Sequence, residues 1–221
     1  MLLSMYPSPL RKVAALTVNT PLISARNRRL PAAERRQQIV DAVLKVVSEH
    51  GVPEATTSRI AQAAGVAEGT LYVHFSSRVE MLTAALDAIF MQMLGLVESS
   101  TEPDALLRLK DVAERHTRLM STEQGGFAYP WVEFIAAGPQ MGLREAVAQT
   151  QTRAFHLIRE IVEEGKAQGA IRSDLDSDQL TWEWLSFAWA ENMSCLMGLD
   201  DFLAKGHSSR LMDIILEDAR A

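Results

Sequence analysis

Between Thr57 and Phe75 the chain reads Thr-Ser-Arg-Ile-Ala-Gln-Ala-Ala-Gly-Val-Ala-Glu-Gly-Thr-Leu-Tyr-Val-His-Phe, and the glycine at position 65 limits what this stretch can become. Before it, Ile60, Ala61 and Ala64 share one face at helical spacing; after it, Leu71 and Phe75, four residues apart, share another. Two short helices therefore meet at Gly65. There the chain leaves the first helix through a left-handed conformation that glycine adopts more cheaply than a residue with a Cβ. A short turn then fixes the crossing angle, which makes this a helix-turn-helix. With Leu71 and Phe75 pointing inward, a step of about 100° per residue puts Gly69, Thr70, Tyr72 and Val73 on the outer side. That surface is small and polar with one aromatic, and it suits a DNA groove better than a protein core.

The charge distribution agrees. Taken whole, the 221 residues carry a net −6, which argues against a nucleic-acid partner. Residues 1–80, however, hold 10 Lys/Arg and 6 Asp/Glu, a net +4, against a net −10 for residues 81–221. A small basic module is joined to a larger acidic one. The single cysteine, Cys195, permits no internal disulfide and fits a reducing cytoplasm. No uninterrupted apolar run approaches the roughly 18 residues of a membrane span, so the expectation is a cytoplasmic protein with no membrane partner. Arg11, Lys12 and the apolar Val13-Ala14-Ala15-Leu16 imitate a secretion leader, but Thr17, Asn19, Thr20 and Pro21 interrupt it. Residues 1–32 read instead as a disordered basic N-terminal extension. Within it, Arg28 and Arg29 belong either to a solvated arm or to one that reaches phosphate or the minor groove.

Helical periodicity continues on both sides. A first helix spans about Ala33 to His50, with Ile39, Val43 and Val46 inward and Val40, Leu44 and Val47 widening the stripe. Ser77 with Glu80 makes a capping box that opens a long fourth helix carrying Met81, Leu82, Leu86, Ile89, Phe90 and Met93. This helix is the expected mechanical link between the modules. Breaks at glycine and proline delimit further helices over about 103–121, 127–137, 140–168, 177–198 and 202–219, with no β-alternation and no internal repeat. On the long pair, Leu157, Ile158 and Ile161 of one helix and Leu180, Trp184 and Phe187 of the other offer more apolar surface than one small domain buries. The pair is therefore expected to form a twofold dimer face.

The run Ile60-Ala61-x-x-Ala64-Gly65-Val66-x-x-Gly69-Thr70-Leu71-Tyr72-x-His74-Phe75, followed by Ser77-Arg78-x-Glu80-x-Leu82, resembles the DNA-binding domain of TetR-family transcriptional regulators. The resemblance is close over about residues 33–83 and extends beyond them only in length and helical character. It implies an all-α fold with an N-terminal three-helix helix-turn-helix DNA-binding domain, residues 33–80, and a C-terminal helical ligand-binding and dimerisation domain, residues 81–221. It also implies a homodimer held by two C-terminal helices per subunit, a repressor on a near-palindromic operator, and an effector pocket between the fourth helix and about the eighth. Three positions depart from the family pattern. Ala67 stands where Ser is frequent, leaving the recognition helix without its usual N-cap, a loss of about 0.5 to 2 kcal/mol. Glu68 replaces a frequent Lys and bears on the operator sequence, since an acid repels phosphate yet accepts from cytosine N4. Arg78 replaces Lys with the charge kept.

The expected DNA contacts are Arg28, Arg29, Thr57, Ser58, Gly69, Thr70, Tyr72, Val73, His74 and Arg78. Thr57, Tyr72, His74 and Arg78 are assigned to phosphates, and Gly69, Thr70 and Val73 to base edges. For the effector, expected to be an apolar or aromatic small molecule, the aromatic-rich C-terminal module suggests Phe90, His116, Trp131, Glu133, Phe134, His156 and Trp182. Enzyme motifs are missing from the sequence: there is no His-Glu-x-x-His, no paired Glu-x-x-His, no Gly-x-Ser-x-Gly and no phosphate-binding glycine loop. The five histidines show no metal-ligand spacing, so no cofactor and no metal are expected. The alternative class is a helical binding or enzymatic protein whose helix-turn-helix serves only protein contacts.

Overall fold

The computed structural model of the protein describes residues 30–122 and 128–221; the N-terminal extension through Arg28 and Arg29, and Phe127, lie outside them. Among the described residues the fold is all-α, with ten helices: α1 (Ala32–His50), α2 (Thr57–Ala64), α3 (Glu68–His74), α4 (Arg78–Glu98), α5 (Ala105–Met120), α6 (Ala128–Ala137), α7 (Arg144–Gln168), α8 (Ser177–Leu196), α9 (Asp201–Ala204) and α10 (His207–Ala219). Extended pairing there is confined to an isolated bridge between Ile171 and Arg220. An N-terminal helix-turn-helix is joined to a larger helical domain.

The helix-turn-helix closes as its residues require. Thr56 caps α2, its hydroxyl accepting from the Arg59 amide at 3.3 Å, and α2 ends at Gly65 with φ +66° and ψ 34°. The amides of Gly65 and Val66 return to the carbonyls of Gln62 and Ala61 at 3.1 and 3.0 Å, which satisfies the orphan carbonyls of the last turn. A Cβ added at Gly65 would meet nothing within 4 Å, so the demand for glycine there is conformational alone. Leu71 and Phe75 are buried against Ile39, Val43, Ile60 and Leu82 in one apolar core.

α4 begins at Ser77, whose hydroxyl accepts from the Glu80 amide at 3.1 Å. The reciprocal half of the capping box closes one residue early: the Glu80 carboxylate takes the Ser76 amide at 2.7 Å and the Ser76 hydroxyl at 2.8 Å. These bonds, with Arg36 beside them, hold the Glu80 carboxyl below its ordinary range. Further along, Met81, Leu82, Ala85, Leu86 and Ile89 enter the first core, and Met93 and Val97 pack on a second core built by α5, α7, α8 and α10. By length and composition α4 is apolar enough to cross a membrane. No uninterrupted apolar run announces this, because Glu80 and Asp87 break the stretch. The apolar residues of α4 serve two cores rather than one stripe.

Three other expectations change. The residues of the α7–α8 pair expected on a dimer face are internal: Ile158, Ile161, Leu180, Trp184 and Phe187 are 4% exposed or less and form the second core, with Leu157 half-buried. Helical periodicity marks a buried stripe without saying whether its cover is the same chain or another. α7 starts at Arg144 rather than about 140, because Gly142 has φ +72°. The expected helix over 202–219 is broken into α9 and α10 by Gly206, which stands in the left-handed region at φ +73°.

Arg78 is the brace that fixes the helix-turn-helix on α4. Its Nε donates to the Ala55 carbonyl at 2.7 Å, and one terminal nitrogen donates to Val52 at 2.6 Å and Pro53 at 3.2 Å. The loop between α1 and α2 thus hangs on one guanidinium. Arg78→Met should lose about 1 to 3 kcal/mol of stability, the cost of leaving buried carbonyls unpaired, with chemical denaturation as the measurement. Gly65→Ala should lose about 1 to 2 kcal/mol through left-handed strain, and Gly65→Asn less. Equal denaturation midpoints for the three proteins would contradict the conformational assignment.

Candidate functional site

α3 is presented outward by two buried anchors. Leu71 is fully buried and Phe75 nearly so, whereas Tyr72 is 53% exposed and Val73 77% exposed. Gly69 adds a bare stretch of backbone, since a Cβ placed on it would meet nothing within 4 Å. Thr70 and His74 are half-buried at the flanks, and Ser58 is exposed on α2. An exposed valine and glycine on a short helix leave room for a second surface to approach closely. Ala67, at the N-cap of α3, makes no side-chain cap bond. Glu68 stands in the first turn, where its charge favours the positive end of the helix, and it accepts from the Thr57 hydroxyl at 3.2 Å.

The expected contacts therefore divide. Gly69, Tyr72 and Val73 share the open side of α3, Ser58 is exposed on α2, Thr57 bonds Glu68, and Arg78 turns its bonds inward to the α1–α2 loop. One supporting residue went unread in the sequence. Arg36 of α1 lies 4.0 Å above the Phe75 ring, donates to the His74 carbonyl at 2.6 Å and reaches Glu80 at 3.2 Å. It ties the C-terminal end of α3 to the start of α4. Nothing local to position 36 announces a partner 38 residues away.

A second concave site lies inside the larger domain. α4, α5, α6, α7 and α8 enclose an apolar cavity of about 50 Å³ lined by Phe90, Met93, Leu96, Trp131, Trp184 and Trp189, with His116, Gln151 and Asn192 among its polar members. Beside it, Glu191 is fully buried, accepts from the Thr117 hydroxyl at 2.6 Å, and sits 2.6 Å from Nδ1 of His116. A buried carboxylate is tolerable only with such partners. The sequence carried the signal, a lone acid on the inward stripe of α8.

Of the expected ligand residues, Phe90, His116 and Trp131 line this cavity. Four do not. Phe134 is fully buried in the first core, His156 is exposed and packs edge-on against Phe155, and Trp182 is 45% exposed. Glu133 faces the end of α1, where a Cβ on Gly51 would come within 2.8 Å of its carboxylate. These four follow from helical phase: on α6, Trp131 faces the cavity while Phe134, three residues on, packs against α1. Trp184 and Trp189 complete the aromatic lining.

Two elements connect the cavity to the outward helix. α4 contributes Ile89 to both the cavity and the first core, and α6 does the same through Trp131. On α4, Arg153 of α7 lies 4.3 Å above the Phe90 ring and bonds Asp87 at 2.7 Å. Among the described residues no cluster of three or more His, Cys, Asp or Glu is arranged to hold a metal ion.

Residues 39–85 match the model of a family described as bacterial regulatory proteins, tetR family. The HTH-type transcriptional regulator TtgW of Pseudomonas putida, itself uncharacterized, is 47% identical over 62 residues; the match covers 28% of this chain and 46% of that protein, so the chain spans less than half the length of this relative. The fatty acid metabolism regulator protein of Bacillus subtilis is 26% identical over 141 residues, 63% of this chain and 72% of that one. A crystal structure of the transcriptional regulator FadR from Bacillus subtilis in complex with stearoyl-CoA superposes with a TM-score of 0.61 at 19% identity, covering 81% of this chain and 97% of that one. That likeness is one of fold. The helix-turn-helix is thus that of the tetR family over residues 39–85, and the rest of the chain shares its helical architecture with solved TetR-type regulators.

Proposed function

We propose that the protein is a homodimeric repressor that binds a near-palindromic operator and is released from it by a small apolar or aromatic molecule. In this reading, residues 33–80 engage DNA, residues 81–221 bind the effector and dimerise, and the protein acts in the cytoplasm. The observation that carries the DNA reading is the open outer face of α3, with Val73 77% exposed beside the uncovered backbone of Gly69. Gly69, Thr70 and Val73 meet base edges, and Ser58, Thr57, Tyr72 and His74 hold phosphates. Arg28 and Arg29 extend the basic footprint from the N-terminal side. Arg78 works behind this surface as its brace.

For the dimer, support comes from apolar side chains that the subunit leaves uncovered. Trp182, Trp189 and Met193 on α8 are 38–45% exposed, and Ile214 on α10 is 55% exposed. Trp182 and Trp189 are seven residues apart with ring centroids 5.9 Å apart, a helical stripe of the kind that seams two helices. A second copy placed on it by a twofold axis would bury α8 and α10 together.

For release, support comes from the size of the cavity. A ligand of drug-like dimensions needs roughly 300 to 1,000 Å³, well above the 50 Å³ present. A ligand that enters therefore has to spread α4, α6 and the helices opposite. Because α4 and α6 also pack in the core of the helix-turn-helix, spreading them tilts the DNA-binding face, and linkage makes DNA weaken the ligand by the same factor. A coupling of about 1 to 3 kcal/mol is typical of such systems.

Gly69→Ala tests the DNA reading. The substitution has open space and an ordinary backbone, so the protein should be as stable or about 0.5 to 1 kcal/mol more stable, yet lose affinity for the DNA upstream of its own gene in a gel shift. Unchanged affinity would overturn the assignment of Gly69 to the DNA surface. Trp182→Glu combined with Ile214→Glu should give a folded monomer by sedimentation and lose specific affinity, since both positions are exposed. A wild-type chain that sediments as a monomer at micromolar concentration would remove the dimer.

A further inference from the structure

We infer that the cavity is built for an uncharged aromatic or polycyclic molecule carrying one hydroxyl or carboxamide, which Gln151 of α7 and Asn192 of α8 recognise. This rests on the reading of the cavity as the effector site. Most polar groups lining the cavity are already committed. The Thr150 hydroxyl donates to the Ala146 carbonyl at 3.0 Å, the Trp184 indole donates to Leu109 at 3.1 Å, and Nδ1 of His116 lies against Glu191. Two buried atoms are not: Nε2 of Gln151 and Oδ1 of Asn192 lack a hydrogen-bond partner, and Asn192 as a residue is only 3% exposed. Folded proteins pair nearly all such atoms, and an orphan is tolerated where a ligand supplies the missing bond.

The two orphans differ in kind. One is a donor and one an acceptor, and in the proposed complex a single hydroxyl or carboxamide accepts from Gln151 while donating to Asn192. The rest of the molecule would lie against Phe90, Trp131, Trp184 and Trp189, whose ring faces favour a flat aromatic body. Charge is disfavoured in either sign. No Lys or Arg lines the cavity to receive an anion. The buried carboxylate of Glu191 has both oxygens engaged, by Thr117 and His116, and so offers no open oxygen to a cation. A charged group entering there would lose its water with no compensating partner. This separates the cavity from one that encloses the charged part of a ligand such as an acyl-CoA.

Isothermal titration of the full chain with four probes on one ring system decides the matter: naphthalene-2-carboxamide, 2-naphthol, 2-naphthoate and 2-naphthylmethylammonium. The carboxamide and the alcohol should bind about tenfold or more tighter than either ion. Gln151→Met and Asn192→Leu should each weaken the carboxamide several-fold while keeping or raising the melting temperature, since each removes an unpaired buried atom. A merely structural role for the two amides would lower the melting temperature and leave the order of the probes unchanged. Tighter binding of either ion, no binding of any probe, or variants that keep the full preference for the carboxamide would overturn the inference. If a variant fails to fold, the order of the four probes on the wild-type chain still decides. DNA is absent from this experiment. A neutral probe that binds as expected but leaves the operator complex intact in a gel shift would sink the release mechanism and not this assignment.

Discussion

The whole molecule depends on α4 being shared. Within twenty-one residues it must fill the core under the helix-turn-helix, wall the cavity and pack on the second core. No single stripe of side chains can do this, so its apolar residues spread around the helix and give it the composition of a membrane span. The same sharing removes the possibility of independent modules. Ile89 lines the cavity and belongs to the core that holds Leu71 and Phe75, so the cavity wall and the helix-turn-helix share one closely packed residue.

α6 supplies a second route that composition does not advertise. Trp131 forms part of the cavity wall and part of the first core, Phe134 is buried in that core, and Glu133 leans over Gly51 at the end of α1. Two struts at different angles constrain a rotation more tightly than one. Arg36 is bonded to the end of α3 and Arg78 to the loop before α2, so both ends of the helix-turn-helix are tied to its neighbours.

How legible the fold was in the sequence depended on the range of the interactions involved. Gly65, the Leu71–Phe75 spacing and the Ser77 cap are local signals, and the helix-turn-helix was readable to within a residue. The break at Gly206 was also local, but an isolated glycine in a helical pattern is ambiguous until its backbone angle is known. The function of the α7–α8 stripe was beyond reach, because burial inside a subunit and burial between subunits demand the same residues. At the cavity, helical phase decided between Trp131 and Phe134, and an error of one position in α6 exchanges wall for core. The pairing of His116 with Glu191 joins positions 75 apart, and only the presence of an acid on an inward face hinted that a partner was needed.

The distribution of tryptophan gives the molecule a built-in optical division. All four indoles lie beyond residue 130 and none on α1, α2 or α3. Trp131 and Trp184, at 7% and 1% exposure, are screened from water and should emit to the blue; Trp182 and Trp189, at 45% and 38%, should emit to the red. An occupant of the cavity perturbs the first pair together with Trp189, whereas covering the outer face of α8 shifts Trp182 and Trp189 together. Because Trp189 belongs to both environments, its emission is where filling the cavity and closing the outer face become visible in one signal.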